Sequence, residues 1–226
     1  MNAEKKSALV AGASGLIGRH CVELLLNHEA YTEVKILVRK PVAIRHPKLT
    51  VYVIDFDKLE NHAEALIADD VFCALGTTIR KAGSQAAFRK VDFDYTVKIA
   101  ALAQHADARQ FLLVSSMGAN PRSRIFYNQI KGDVEEAVRR IPFNAVQIFR
   151  PSLVLGKREE RRSSEQIGAA LMAALGWGLV GPMRRWKAVD AHSVARAMVA
   201  SAQKNLSGFH VYQSDEIQRI SDEARL

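Results

Sequence analysis

The stretch "ALVAGASGLIG", Ala8 to Gly18, decides the fold of this chain. Four apolar residues, Ala8–Ala11, run into glycines at three-residue intervals, Gly12, Gly15 and Gly18, and a helical pattern over 16–27 begins among them. A strand that turns so sharply into a helix needs positions without a Cβ, for the turn and for close contact of helix with sheet. The same glycines let a pyrophosphate approach the backbone, and the helix offers it free N–H groups and a positive dipole end. Spaced glycines alone are a weak signal. Following the first strand and opening a helix, they read as a dinucleotide-binding turn, the alternative being a glycine-rich turn with no ligand.

Working outward, the same unit recurs. Further apolar runs lie at Val34–Val38, Thr50–Ile54, Val71–Leu75, Gln110–Ser115, Ala145–Phe149 and Gly208–Gln213. They are apolar nearly throughout, as strands covered on both faces should be. Helical patterns fall between and after them, near 58–67, 85–106, 124–140, 164–175 and 191–204. Alternating strands and helices with crossovers of this length predict a doubly wound parallel α/β sheet. In such a sheet ligands bind at the carboxyl ends of the strands, where strand order reverses. The 226 residues suffice for one core, so residues 1–226 are expected to form a single domain. Residues 152–190, apolar with few distinctive polar groups, are its expected substrate-side segment.

Composition narrows the class. Hydrophobic residues at 48% and charged residues at 25% are ordinary for a soluble globular protein. Cys21 and Cys73 are far apart in apolar segments, which suggests buried thiols in a reducing compartment and no metal cluster. The glycines that break "SALVAGASGLIG", and Arg19 and His20 behind it, argue against a signal peptide. Residues 167–183 carry no charge, but glycines and Pro182 interrupt them, so a core or lid helix with an apolar loop is expected rather than a membrane span. A cytoplasmic location follows as the expectation. The net charge of +8 gathers at Arg122/Arg124/Lys131, Arg139/Arg140, 157–162 and 184–187. No nucleic-acid motif organises these groups, so they read as solvated faces and attraction for an anionic cofactor.

The end of the second strand selects among dinucleotides. A protein that prefers NAD places a carboxylate there for the ribose 2′-OH, whereas "ILVRK" places Arg39 and Lys40. A guanidinium binds a 2′-phosphate through two charge-assisted bonds, which favours NADP(H). Asp55 and Phe56, after the third strand, sit where an adenine would be flanked, although "DFD" reads equally as a helix cap. "CALGTT" ends the fourth strand; Gly76 lets the chain pass close to the cofactor, and Thr77 and Thr78 offer hydroxyls.

The fifth strand ends in "LLVSSMGAN", which places Ser115 and Ser116 on the cofactor side. The helix that follows carries "YNQIK", with Tyr127 four residues before Lys131 and so on one face. A second copy, "YTEVK" at Tyr31–Lys35, shows that spacing alone decides nothing. It leads into the second strand and has no serine partner, so only Tyr127 and Lys131 read as reactive. A free phenol titrates near about 10, too high for easy acid–base work at neutral pH. A neighbouring ammonium and a positive nicotinamide favour the phenolate. Lys131 can also hold the nicotinamide ribose, and a serine hydroxyl can bond the substrate oxygen as it changes between carbonyl and alcohol.

With "FCALGTTIRKAGS", "VDFDY", "SSMGA", "YNQIKGDVE", "FRPSLVLGKREERR" and "AVDAHSVARAMV" in this order, the chain resembles the short-chain dehydrogenase/reductase superfamily, in its atypical branch around the Tat-interacting-protein oxidoreductases. The resemblance spans about residues 7–204. It implies an NADP(H)-binding Rossmann domain with Tyr127 as proton donor and acceptor and Lys131 as its partner. Ser115 or Ser116 completes the set, with Ser116 preferred. It also implies cofactor contacts at Ser14, Gly15, Leu16 and Ile17, at Arg39, Lys40, Leu75 and Gly76, and at backbone from Arg150 to Leu153. Two positions depart from the pattern: Asp92 stands where superfamily members place an Asn, and Ser152 where a glycine often follows "RP". The expectation is an NADPH-dependent oxidoreductase reducing a carbonyl-like group of an unidentified small molecule. The alternative is a non-catalytic NADP(H)-binding sensor or protein-interaction module on the same fold.

Overall fold

The computed structural model describes residues 5–156 and 188–224. The expected helix at 164–175, the uncharged run 167–183 and the basic clusters at 157–162 and 184–187 lie outside the described residues. Strand β1 (Lys6–Ala11) leads through the glycine turn to α1 (Gly18–Asn27), then β2 (Tyr31–Val38), β3 (Leu49–Val53), a 3-10 segment (Phe56–Leu66) and β4 (Asp70–Cys73). Short helices α2 (Ile79–Ala82) and α3 (Gln85–Arg89) precede a π turn (Lys90–Asp94) and α4 (Tyr95–His105). Then come β5 (Gln110–Val114), α5 (Phe126–Arg139), β6 (Ala145–Arg150) and β7 (Val154–Leu155). The described chain closes with β8 (Val189–Asp190), α6 (Ala191–Ala202), β9 (Gly208–Gln213) and α7 (Ser214–Glu223).

Seven parallel strands form one sheet in the order β3-β2-β1-β4-β5-β6-β9, a Rossmann-type arrangement. Strand order reverses between β1 and β4, where Ala11 pairs with Cys73 and the Ala74 N–H donates to the Ala11 carbonyl at 2.9 Å. The loops after β1 and β4 are therefore neighbours at the switch point. Side chains alternate between two apolar layers, as a strand period of two requires. Val10, Val34, Phe72, Leu112 and Phe149 join the layer under α1, α6 and α7. Leu9, Leu37, Val71, Phe111 and Ile148 join the layer under the 3-10 segment, α4 and α5. Full burial of each such side chain contributes roughly 1.5–3 kcal/mol, so the sheet is a stiff base for the loops at its edge.

Several boundaries differ from the sequence expectation. The pattern over 85–106 is broken by the π turn, and 58–67 is 3-10 with kinks at Lys58 and His62. Helix α7 was not anticipated, although a capping box between Gln213 and Glu216 and the buried pair Ile217 and Ile220 mark it.

Candidate functional site

The glycine turn is dictated by contact. Gly12 has φ +85°, and a Cβ there would lie 2.5 Å from the Ala74 carbonyl oxygen; at Gly18 it would lie 2.1 Å from the Gly12 oxygen. Any larger residue would force the β1 turn from its neighbours. No side chain caps α1, and the Arg19, His20 and Cys21 N–H groups of its first turn donate to the Gly15 and Ile17 carbonyls at 3.2, 3.0 and 3.1 Å. Ser14 is exposed, Leu16 packs on Gly156 and Ile17 is turned into the core. Contacts from Ile17 to a cofactor must therefore come from its backbone.

Arg39 and Lys40 stand exposed just past β2, and neither is paired among the described residues. The Asp55 carboxylate accepts from the Asp57 N–H at 3.0 Å, which is the helix-cap geometry. Phe56 is 5% exposed, and its ring packs against that of Tyr95, centroids 5.5 Å apart. After β4, Leu75 is half-buried and Gly76 exposed. The Thr77 N–H donates to Asp92 Oδ2 at 2.9 Å.

Helix α5 carries the candidate reactive face. Tyr127, Lys131 and Glu135 are spaced by four and share one side. Tyr127 is half-buried with its ring 5.6 Å from that of Phe88. The Lys131 ammonium is buried 2.7 Å from Asp92 Oδ1. Burial opposes that charge, but the Asp92 carboxylate and the Tyr127 oxygen outweigh it and hold Lys131 above its ordinary range. Glu135, also buried, accepts from Ser115 Oγ and from Arg150 Nε at 3.0 and 3.2 Å. Gly132 sets the seat of the helix: a Cβ there would come 2.2 Å from the Pro121 nitrogen.

The two serines differ. Ser115 gives its hydroxyl hydrogen to Glu135, whereas Ser116 Oγ is buried without a hydrogen-bond partner among the described residues. A buried hydroxyl without a partner is costly and calls for one, an ordered water or a ligand. Arg150 is held by Glu135, so its side chain belongs to this clamp and only its backbone could serve a cofactor. Likewise the Leu153 carbonyl already accepts from the Val189 N–H at 2.9 Å, and the Ser152 N–H donates to Ser214 Oγ at 2.7 Å.

The second Tyr–Lys copy is structural. Both residues lie in β2, where Tyr31 OH donates to Asp70 at 2.6 Å and Lys35 Nζ donates to the Ile67 carbonyl at 2.9 Å. Both cysteines are free and buried, and burial pushes the thiols up, Cys21 to about 12 and Cys73 to about 11. Among the described residues no helix is long and apolar enough to cross a membrane. Asp92, Glu135 and Phe88 were not singled out as site residues from sequence except for the departure noted at Asp92. The spacing of Glu135 from Lys131 was the available signal.

Residues 12–142 match a family model described as NAD(P)H-binding. Protein HTATIP2 of Rattus norvegicus is 35% identical over 176 residues, covering 76% of this chain and 72% of that protein. Protein FMP52, mitochondrial, of Coccidioides immitis (strain RS) is 32% identical over 212 residues, covering 88% and 86%. Among solved structures, the Bordetella bronchiseptica enzyme WbmH in complex with NAD+ superposes with a TM-score of 0.70 at 16% identity, covering 97% of this chain and 80% of that one. At that identity it speaks for the fold alone. The expected likeness to the Tat-interacting-protein group is thereby met.

Proposed function

The chain belongs to the NAD(P)H-binding family, and from that premise we propose that it is an NADPH-dependent oxidoreductase reducing a carbonyl-like group. The observation that carries this reading is Ser116 Oγ, buried just past β5 and without a hydrogen-bond partner among the described residues, while α5, tied to the neighbouring Ser115 through Glu135, carries Tyr127 and the buried Lys131 on one side. A binding module has no need to keep an orphaned hydroxyl, a phenol and a buried ammonium together.

In this reading the glycine turn and the start of α1 hold the pyrophosphate, with Gly12, Ser14, Gly15, Leu16, Ile17 and Gly18 contributing chiefly backbone. Arg39 and Lys40 receive the 2′-phosphate. Leu75, Gly76 and Thr77 line the middle of the cleft, and Lys131 holds the nicotinamide ribose. NADPH supplies the hydride. Ser116 donates a hydrogen bond to the carbonyl oxygen, stabilising the charge that develops there. Tyr127 gives its proton to that oxygen, and the alcohol leaves. Ser115, Glu135 and Arg150 hold β5, α5 and β6 in register. Asp55 caps the 3-10 segment beside the adenine end, and Phe56 supports it from the core. Of the segment 152–190, expected from the sequence to face the substrate, 157–187 lie outside the described residues; the pair β7–β8 brings its two described ends together, Val154 against Val189.

Buried free thiols fit any reducing compartment. The cytoplasm was the expectation, and the fungal relative's mitochondrial name keeps the mitochondrion as a second candidate. A screen of aldehydes, ketones and quinones for NADPH oxidation tests the reading. Turnover that Ser116→Ala lowers at least tenfold while NADPH binding persists supports it. Tight NADPH binding without turnover, with altered affinity for a protein partner, would replace it by the sensor reading.

A further inference from the structure

We propose that Asp92 is a positioning residue: its carboxylate fixes Lys131 and keeps it charged toward the cofactor, while binding the loop after β4 to the same point. The proposal rests on the assignment of Lys131 to the nicotinamide ribose.

The geometry is specific. The π turn aims Asp92 inward, leaving it 2% exposed, with one oxygen 2.7 Å from the Lys131 ammonium and the other accepting from the Thr77 N–H at 2.9 Å. Gly76 runs alongside: a Cβ there would lie 3.5 Å from Asp92 Oδ1 and 3.9 Å from Lys131 Nζ. One carboxylate thus joins the switch-point loop to the reactive face of α5. The ionisable groups that face Lys131 among the described residues are Asp92 from the π turn, Tyr127 from α5 and Cys73 from β4. Cys73 is neutral at physiological pH, because burial pushes its thiol to about 11.

Burial disfavours an ammonium and, unopposed, releases its proton at lower pH. In the folded chain Lys131 is instead held above its ordinary range, so its charge persists through neutral pH and is lost only in strong alkali. An amide at position 92 could still accept from the Thr77 N–H but would carry no charge. Asp92→Asn therefore separates the electrostatic role from the tethering role.

The test is NADPH affinity, by fluorescence titration at intervals from about pH 7 to about pH 9, which needs no substrate. The parent should vary by less than about twofold, as should Asp57→Asn, a surface carboxylate paired with Lys90 at 2.7 Å. Asp92→Asn should weaken by a further tenfold or so as pH rises, the scale of one charge-assisted hydrogen bond. Adding Lys131→Arg to Asp92→Asn should flatten the profile again, since a guanidinium does not titrate. An Asp92→Asn profile parallel to the parent's overturns the proposal. So does an alkaline loss in the parent itself, a readout that stands even if the variant does not fold. A parent that binds no NADPH at any pH would overturn the proposed function and this inference with it.

Discussion

In the proposed reading cofactor choice turns on Arg39, exposed past the end of β2 and unpaired among the described residues. A charged hydrogen bond contributes about 1.5–3 kcal/mol, so Arg39→Ala should weaken NADPH binding by roughly ten- to a hundredfold and leave NADH nearly unchanged. Calorimetric titration with both cofactors checks this; equal losses would reject the 2′-phosphate assignment. The serines separate by the same logic. Ser115→Ala removes one hydrogen bond to Glu135, at about 1 kcal/mol of stability, with turnover largely kept because Arg150 still holds Glu135. Ser116→Ala should do the reverse, and steady-state kinetics beside thermal melts would show the split. At this scale the sequence set Tyr127 and Lys131 apart from their copy at Tyr31 and Lys35 by context, and the structure puts the first pair on a helix and the second in a strand, where the same spacing meets different neighbours. It could not choose which way the Phe56 ring turns, since the irregular segment after β3 has no period to read. Nor could it choose between Ser115 and Ser116 on the residues alone. In the proposed reading Glu135 makes that choice by taking the Ser115 hydroxyl, and it reaches back from 20 residues further along the chain.

Helix α5 acts as one unit because buried contacts fix it from three sides: Asp92 on Lys131, Ser115 and Arg150 on Glu135, and the backbone at Pro121 against Gly132. Gly132→Ala should therefore be felt strongly. Its Cβ would meet backbone at 2.2 Å, which nothing flexible can yield, and overpacking of this kind costs about 1–3 kcal/mol. Chemical denaturation should show that loss, and α5 should move away from the 119–121 loop; a neutral substitution would mean the helix is less firmly seated than described. The seven main strands and most helices were legible from apolar runs and their spacing. The π turn was not, because one inserted residue leaves the apolar pattern of 85–106 nearly intact while redirecting Asp92. Helix α7 went unread because its polar face outweighs its two buried isoleucines.

Across the whole molecule, a buried polar chain crosses the sheet below the site. Tyr31 and the Gln110 amide donate to Asp70 at 2.6 and 2.7 Å, Gln147 donates to Gln110 at 2.9 Å, and Tyr212 donates to Gln147 at 3.2 Å, linking β2 to β9. Burial raises the Asp70 carboxyl despite the Tyr31 hydrogen bond and the Lys6 charge. A carboxyl raised on folding takes up its proton in the native state first, so its contribution favours the fold as pH falls toward the ordinary carboxyl range. Relative to Asp70→Asn, the parent should gain melting temperature as pH falls from neutrality toward about pH 4, the ordinary carboxyl range; a relative loss would contradict that sign. The central claim concerns the other end of the sheet, where Tyr127 gives its proton to a carbonyl oxygen. Tyr127→Phe keeps the ring packed on Phe88 and removes only the hydroxyl. With a carbonyl substrate from the screen, the direct measurement is the rate of NADPH oxidation by parent and Tyr127→Phe at matched cofactor occupancy. The account predicts a fall of about 10²–10⁴ with NADPH affinity unchanged, and turnover at the parent rate by the Phe variant would contradict it.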